Sequence, residues 1–209
     1  VALYDVTLPV STALAGWPGD APYRFTWSCT KAGGASVNVG QLSCSIHTGT
    51  HVDAPYHFDE QGATAERLPL DAYIGPARLV DVAGRKQISR TDLSAVDFKG
   101  TPRLLLRTGG WTDHGQFPTS IPVLTEDVPA WLAAQGVVLL GLDVPSVDVL
   151  DSKSLPVHHS LGRHGIAILE SLELSNVPEG VYELIALPLK LVGADGSPVR
   201  AVLRTIATR

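Results

Sequence analysis

The stretch His47-Thr48-Gly49-Thr50-His51-Val52-Asp53-Ala54-Pro55-Tyr56-His57 places three histidines and an aspartate within eleven residues, all at odd positions. On an extended segment, side chains of one parity point to one side. Four titratable groups crowded on one face are costly to bury unless they meet partners. The fold must therefore bring partners to this face, and it cannot leave the segment straight. At roughly 3.3 Å per residue, His47 and His51 on a straight strand would lie about 13 Å apart, too far for one ion to bridge. The chain has to turn between them, and Gly49 is the least costly place to do so. His51 and Asp53 are two residues apart and converge without a bend. Imidazole nitrogen and carboxylate oxygen are ordinary Zn²⁺ donors, and an aspartate can bridge two ions. The plainer alternative is a hydrogen-bonded polar strand lining a cleft. The spacing leaves three roles open for His57: metal ligand, loop cap, or carrier of protons during hydrolysis.

A second cluster, His158, His159, His164 and Glu170, lies far downstream. Adjacent histidines point in different directions, so only one of His158 and His159 is expected in a site. Glu170 follows the apolar Ile168-Leu169, an unusual approach for an unpaired carboxylate. It either completes a metal site or pairs with Arg163. Trp17 sits in the turn-rich Gly16-Trp17-Pro18-Gly19-Asp20, where it either stacks on an aromatic ligand or closes the turn. No Gly-x-Ser-x-Gly elbow is present, which weakens a serine hydrolase reading. Cys44 has the opposite parity to His47, and a buried structural role is expected for it.

The 209 residues fit one domain over 1–209, and 44% hydrophobic content supports a packed core. Gly and Pro, 20 and 15 in number, follow no repeat and imply many turns rather than a helical bundle. A net charge of -5 with no basic stripe argues against nucleic acid. No apolar run reaches the roughly 18 residues of a membrane span. Cys29 and Cys44 allow one disulfide at most. No signal-like segment follows Val1, so a cytoplasmic location is expected, with a trimmed leader left open.

Strands are expected at 3–8, 37–46, 77–82, 103–107, 137–142, 182–191 and 201–206, with a loop over 16–24. Leu104-Leu105-Leu106 suggests burial on both faces. Thr91 is a candidate cap for a short helix through Val96, and a longer helix should start near Thr125, carry Pro129 in its first turn and exit at Gly136. A helix or turn is expected over 158–164, and 166–169 reads as strand or helix. The fold class is α/β, with short peripheral helices around a mixed sheet.

The 47–57 motif resembles the metal-dependent cyclase family, in its kynurenine formamidase branch. The similarity extends to Trp17-Pro18-Gly19-Asp20, to His158-His159 with Ile168-Leu169-Glu170, and to Tyr182 through Leu189, so that it spans nearly the whole chain. The related isatin hydrolases share much of the same metal framework. The resemblance implies a barrel-like mixed sheet, a homodimer, and two divalent metal ions per subunit, zinc or else manganese. By the same resemblance His47 and His51 are terminal ligands of one ion, Asp53 and Glu170 are bridges, and His158 ligates the other ion. His57 becomes the proton donor and acceptor, and Trp17 lines the pocket of a small aryl-formamide substrate. His159 and His164 fall outside this set.

Overall fold

Short apolar runs broken by Gly and Pro make short strands. The computed structural model, which describes residues 1–206, assembles nine of them into one mixed sheet. Strands β1 (Leu3–Asp5), β2 (Arg24–Cys29), β3 (Val39–Ser43) and β4 (His51–Asp53) come first. They are followed by β5 (Ile74–Asp81), β6 (Gln87–Ile88), helix α1 (Arg90–Leu93), β7 (Arg103–Arg107) and β8 (Val123–Leu124). Helix α2 (Val128–Ala134), β9 (Leu139–Leu142), α3 (Pro156–Arg163) and β10 (Ala167–Glu170) then alternate. Strands β11 (Gly180–Ile185), β12 (Gly196–Pro198) and β13 (Val202–Thr205) complete the described chain. The main sheet runs β1-β13-β11-β5-β7-β9-β10-β4-β12 and curls into a half-barrel. Its centre, β5-β7-β9-β10, is parallel, and its flanks are antiparallel. This is the α/β class expected.

The parallel centre is covered on both sides, as Leu104-Leu105-Leu106 implied. Leu104 and Leu106 pack with Leu132 of α2 and Leu161 of α3. Leu105 faces the other side, with Leu79, Leu139, Leu169 and Leu203. Each leucine held this way contributes about 1.5–3 kcal/mol of burial. At Gly141 of β9 a side chain is excluded, because a Cβ would come 2.5 Å from Leu105 Cδ2.

Several element boundaries differ from the sequence reading, each for a local reason. Ser89 and Asp92, not Thr91, form the capping box of α1, with Ser89 N–H donating to Asp92 Oδ2 at 2.8 Å. Helix α2 starts at Val128 because Thr125 and Asp127 first close a side-chain turn (2.6 Å), although Pro129 and the left-handed Gly136 (φ +81°) stand where expected. The largest difference is a hairpin. Residues 24–29, of which only Arg24 lies in the expected loop and the rest in no expected element, form β2 and pair with a strand shorter than 37–46 in a separate two-stranded sheet. Phe25 lies opposite Leu42, and both faces of the hairpin are exposed. Cys44, just beyond it, is half-buried rather than buried, and Cys29 and Cys44 are free thiols.

Candidate metal centre

Strand β4 is three residues long and lies between β10 and β12, antiparallel to both. Residues directly opposite in antiparallel strands share a face. His51 is opposite Glu170, so strand register brings the two distant segments of titratable residues together. Upstream of β4, Gly49 takes a left-handed conformation (φ +70°), the bend that the His47–His51 spacing demands. The two imidazole rings end with centroids 4.8 Å apart. Downstream, Pro55 opens a turn of 3₁₀ helix over Pro55–His57, which folds His57 back until its ring lies 4.1 Å from that of His47.

His158 arrives from the first turn of α3. The buried carboxylate of Asp148 fixes it three times: it accepts from the backbone N–H of Val157 and of His158, each at 3.0 Å, and its Oδ2 lies 2.7 Å from His158 Nδ1. The other nitrogen of His158 faces inward, 3.6 Å from Asp53 Oδ2 and 3.8 Å from Glu170 Oε1. The same division holds for the other two rings. His51 places Nδ1 2.9 Å from the carbonyl oxygen of Gly49 and Nε2 3.4 Å from Asp53 Oδ1. His47 places Nε2 3.0 Å from Asp195 Oδ2 and Nδ1 3.1 Å from Asp53 Oδ1. In each ring the outer nitrogen has an oxygen acceptor that sets the tautomer, leaving the inner nitrogen free to ligate.

Asp53 is buried, and neither of its carboxylate oxygens has a hydrogen-bond partner. A buried carboxylate ringed by imidazole nitrogens but bonded to none is the arrangement a cation completes. Glu170 contributes Oε2, 3.5 Å from His51 Nε2, while its Oε1 accepts from Val147 N–H at 3.0 Å. It is turned toward this cluster rather than toward Arg163. Donor atoms close enough for one ion come from His47-His51-Asp53, and again from Asp53-His57-His158. The N/O donor set suits a divalent first-row metal.

Protonation shows the same pull for positive charge. Burial alone would lower His47, but Asp53 and Asp195 overcome it and raise its pKa to about 9. Burial likewise opposes His158, which Asp148, Asp53 and Glu170 raise to about 10. Asp53 is held well below the usual carboxylate range by His158, His47 and His51, against its burial. Glu170 is pushed upward by burial and by the charge on Asp53. His57 differs from the other two. Burial lowers it, and the charges of His47 and His158 lower it further, despite Asp53 and Asp195.

A cavity of about 420 Å³ opens onto the cluster, walled by Trp17, Trp111, Phe117, Leu150 and Leu155. Trp17 packs edge-on against Phe117, with centroids 5.1 Å apart. The structure thus brings together His47, His51, Asp53, His57, His158 and Glu170, with Trp17 on the adjoining wall. His159 packs edge-on against Phe58, and His164 bonds the carbonyl of Ser160; both lie away from the cluster. Sequence reasoning missed Asp148 and Asp195. Each sits in a turn-rich stretch where an aspartate is unremarkable, and nothing local distinguishes it.

Residues 4–149 match the family model Cyclase, described as "Putative cyclase". The chain is 50% identical over 202 residues to a kynurenine formamidase of Bacillus mycoides, covering 97% of each chain. A solved structure described as a potential metal-dependent hydrolase with cyclase activity superposes with a TM-score of 0.82 at 31% identity, covering 97% of this chain and 96% of the other. Isatin hydrolase A from Labrenzia aggregata shares the fold, with a TM-score of 0.82 at 21% identity over 97% of this chain and 93% of that one. The matched segment contains the whole His47–His57 motif, and the chain belongs to the cyclase family.

Proposed function

We propose that this protein hydrolyses N-formyl-L-kynurenine to L-kynurenine and formate, a step of tryptophan degradation. The observation that carries the reading is the ring of three pre-oriented imidazoles around the unpartnered Asp53 carboxylate, at the inner end of an aromatic-walled cavity. Similarity to the kynurenine formamidase of Bacillus mycoides supports the substrate.

His47, His51 and Asp53 would hold one divalent cation, and Asp53, Glu170 and His158 a second. Zinc fits the donor set best, and manganese is the alternative. Such cations supply Lewis acidity at the formyl oxygen and a hydroxide equivalent near neutral pH. Trp17 and Phe117 hold the aryl ring, so that the formyl group points into the cluster. Water adds to the formyl carbon, and His57 accepts a proton from it. As the carbon–nitrogen bond breaks, His57 returns that proton to the aryl nitrogen, which would otherwise leave as a strongly basic anion. Asp195 Oδ2, 3.5 Å from His57 Nδ1, keeps the ring facing the cavity. A purified-protein assay on N-formylkynurenine before chelation, after it, and after single metals are restored tests the reading, with metal content measured on the same samples.

A competing reading is hydrolysis of isatin or another cyclic or aryl amide on the same metals. Side-by-side turnover of isatin and N-formylkynurenine separates the two. A purely structural metal site is disfavoured by the cavity, because such sites have closed coordination shells.

We also propose a cytoplasmic homodimer of this one domain. The free thiols of Cys29 and Cys44 suit a reducing compartment. No helix among the described residues is long and apolar enough to cross a membrane. The β2–β3 hairpin supports the dimer: Phe25, Trp27 and Leu42 share its apolar face and are 45%, 56% and 60% exposed. Light scattering on the protein and on Trp27→Ser should show a dimer and its weakening.

A further inference from the structure

The cavity wall carries two opposite charges with no assigned work. Asp20 closes a four-residue turn with Trp17, its N–H donating to the Trp17 carbonyl at 3.0 Å, with Gly19 left-handed (φ +97°) at the third position. Both ends of this turn, Trp17 and Asp20, are among the residues that line the cavity. The carboxylate is held in place: Ser45 Oγ donates to Asp20 Oδ2 at 2.6 Å, and Ser45 N–H donates to the Ala21 carbonyl at 2.9 Å. Lys153 lines the same cavity and is the only lysine or arginine among its lining residues. It sits in a turn fixed by Ser152, whose N–H donates to the Val149 carbonyl at 2.9 Å and whose Oγ accepts from Leu155 N–H at 3.1 Å. Neither Asp20 nor Lys153 has an ion-pair partner among the described residues.

We propose that Asp20 and Lys153 form a subsite for a zwitterionic α-amino-acid head group. Asp20 takes the ammonium and Lys153 the carboxylate, so this hydrolase prefers formamides of aryl amino acids to neutral aryl formamides and cyclic amides. The proposal rests on the formamidase reading and names what sets its substrate class. The arrangement also solves an orientation problem. A free carboxylate is itself a good ligand for a cation and would compete with the formyl group for the cluster. Anchoring it to Lys153 keeps it away from the inner end and leaves the formyl group to face the cluster. Asp20 beside Trp17 places the ammonium acceptor next to the surface on which the ring stacks.

The test uses N-formyl-L-kynurenine and 2-formamidoacetophenone, which has the same aryl ketone but no amino-acid head. kcat and KM are measured for the metal-loaded wild type, Lys153→Ala, Lys153→Glu and Asp20→Asn. Asn can still accept from Ser45, so the turn survives. The ratio of kcat/KM for the headed over the headless substrate should fall roughly tenfold in Lys153→Ala, mainly through KM, and further in Lys153→Glu. Asp20→Asn should lower the same ratio, and L-kynurenine should inhibit all three variants less than the wild type. An unchanged ratio, or an equal loss on both substrates, would overturn the subsite alone. Failure of the wild type to deformylate N-formylkynurenine would overturn the formamidase reading and the subsite with it.

Discussion

The Asp148 carboxylate lies 2.7 Å from His158 Nδ1 and also accepts the backbone N–H groups of Val157 and His158. One side chain therefore fixes the start of α3, the ring orientation of His158 and its tautomer. Asp148→Asn keeps the shape but loses the charge that favours a proton on Nδ1. Removing such an outer partner typically weakens metal binding tenfold to hundredfold. A competition titration with a chromophoric chelator should show that loss, confined to one of the two equivalents proposed above.

Variants at His51 and His57 test the proposed metal binding and proton transfer separately. His51→Ala removes an inner nitrogen aimed at Asp53 and should abolish metal retention and activity together. His57→Ala should keep most of the metal while kcat falls about 10²–10⁴-fold. Metal analysis and kinetics on the same preparations check both. Full turnover by His57→Ala would remove that residue from the proton-transfer role.

Gly62 controls where His57 sits. A Cβ at this position would lie 2.4 Å from the Pro55 carbonyl carbon and 2.6 Å from Tyr56 N, and backbone atoms cannot rotate away. Gly62→Ala must therefore displace the Pro55–His57 turn. Overpacking of this kind costs about 1–3 kcal/mol. Denaturant unfolding should report that loss, and kcat should fall with the metal content unchanged.

Removal of metal should also be visible without any substrate. An ion that binds only the folded chain stabilises it by about 2.7 kcal/mol at a hundredfold excess over its Kd. Tm should therefore drop after chelation and climb again with added zinc, in a concentration-dependent way. Asp53→Asn should abolish that dependence.

Asp81 supplies a pH test remote from the cluster. The Ala83 N–H and the Arg107 guanidinium hold its carboxyl below the ordinary value. A depressed acid contributes stability that is present above its unfolded pKa and lost as pH falls through its folded one. Solvent screening of this partly exposed pair limits the contribution to about 1 kcal/mol. Asp81→Asn should thus be less stable than the wild type at pH 7. The gap should shrink below about pH 4 and close in stronger acid, as unfolding curves at several pH values can show.

The central strands were legible because their middles are buried runs of leucine, Leu104-Leu105-Leu106 in β7 and Leu139 to Leu142 around Gly141 in β9. The bend at Gly49 was legible because the His47–His51 distance requires one. The hairpin was missed although Phe25, Trp27 and Cys29 alternate with Arg24, Thr26 and Ser28 in the period-two pattern of a strand, because this strand directly follows the turn-rich 16–24 stretch and packs on no core. The cluster was half legible. Crowded histidines stand out in a sequence, whereas Asp148 and Asp195 meet those rings only through tertiary folding.

Strand register joins His51, Asp53 and Glu170, while the cavity walls come from the connections at 15–20, 111–117 and 145–155. Hydrolytic chemistry and substrate choice are thus encoded in separable parts of the molecule. Grafting the connections at 15–20 and 111–117 from a relative onto this sheet should retune which amide is cleaved while leaving the ionic cluster intact, whereas 145–155 must keep Asp148 and Val147 to hold His158 and Glu170.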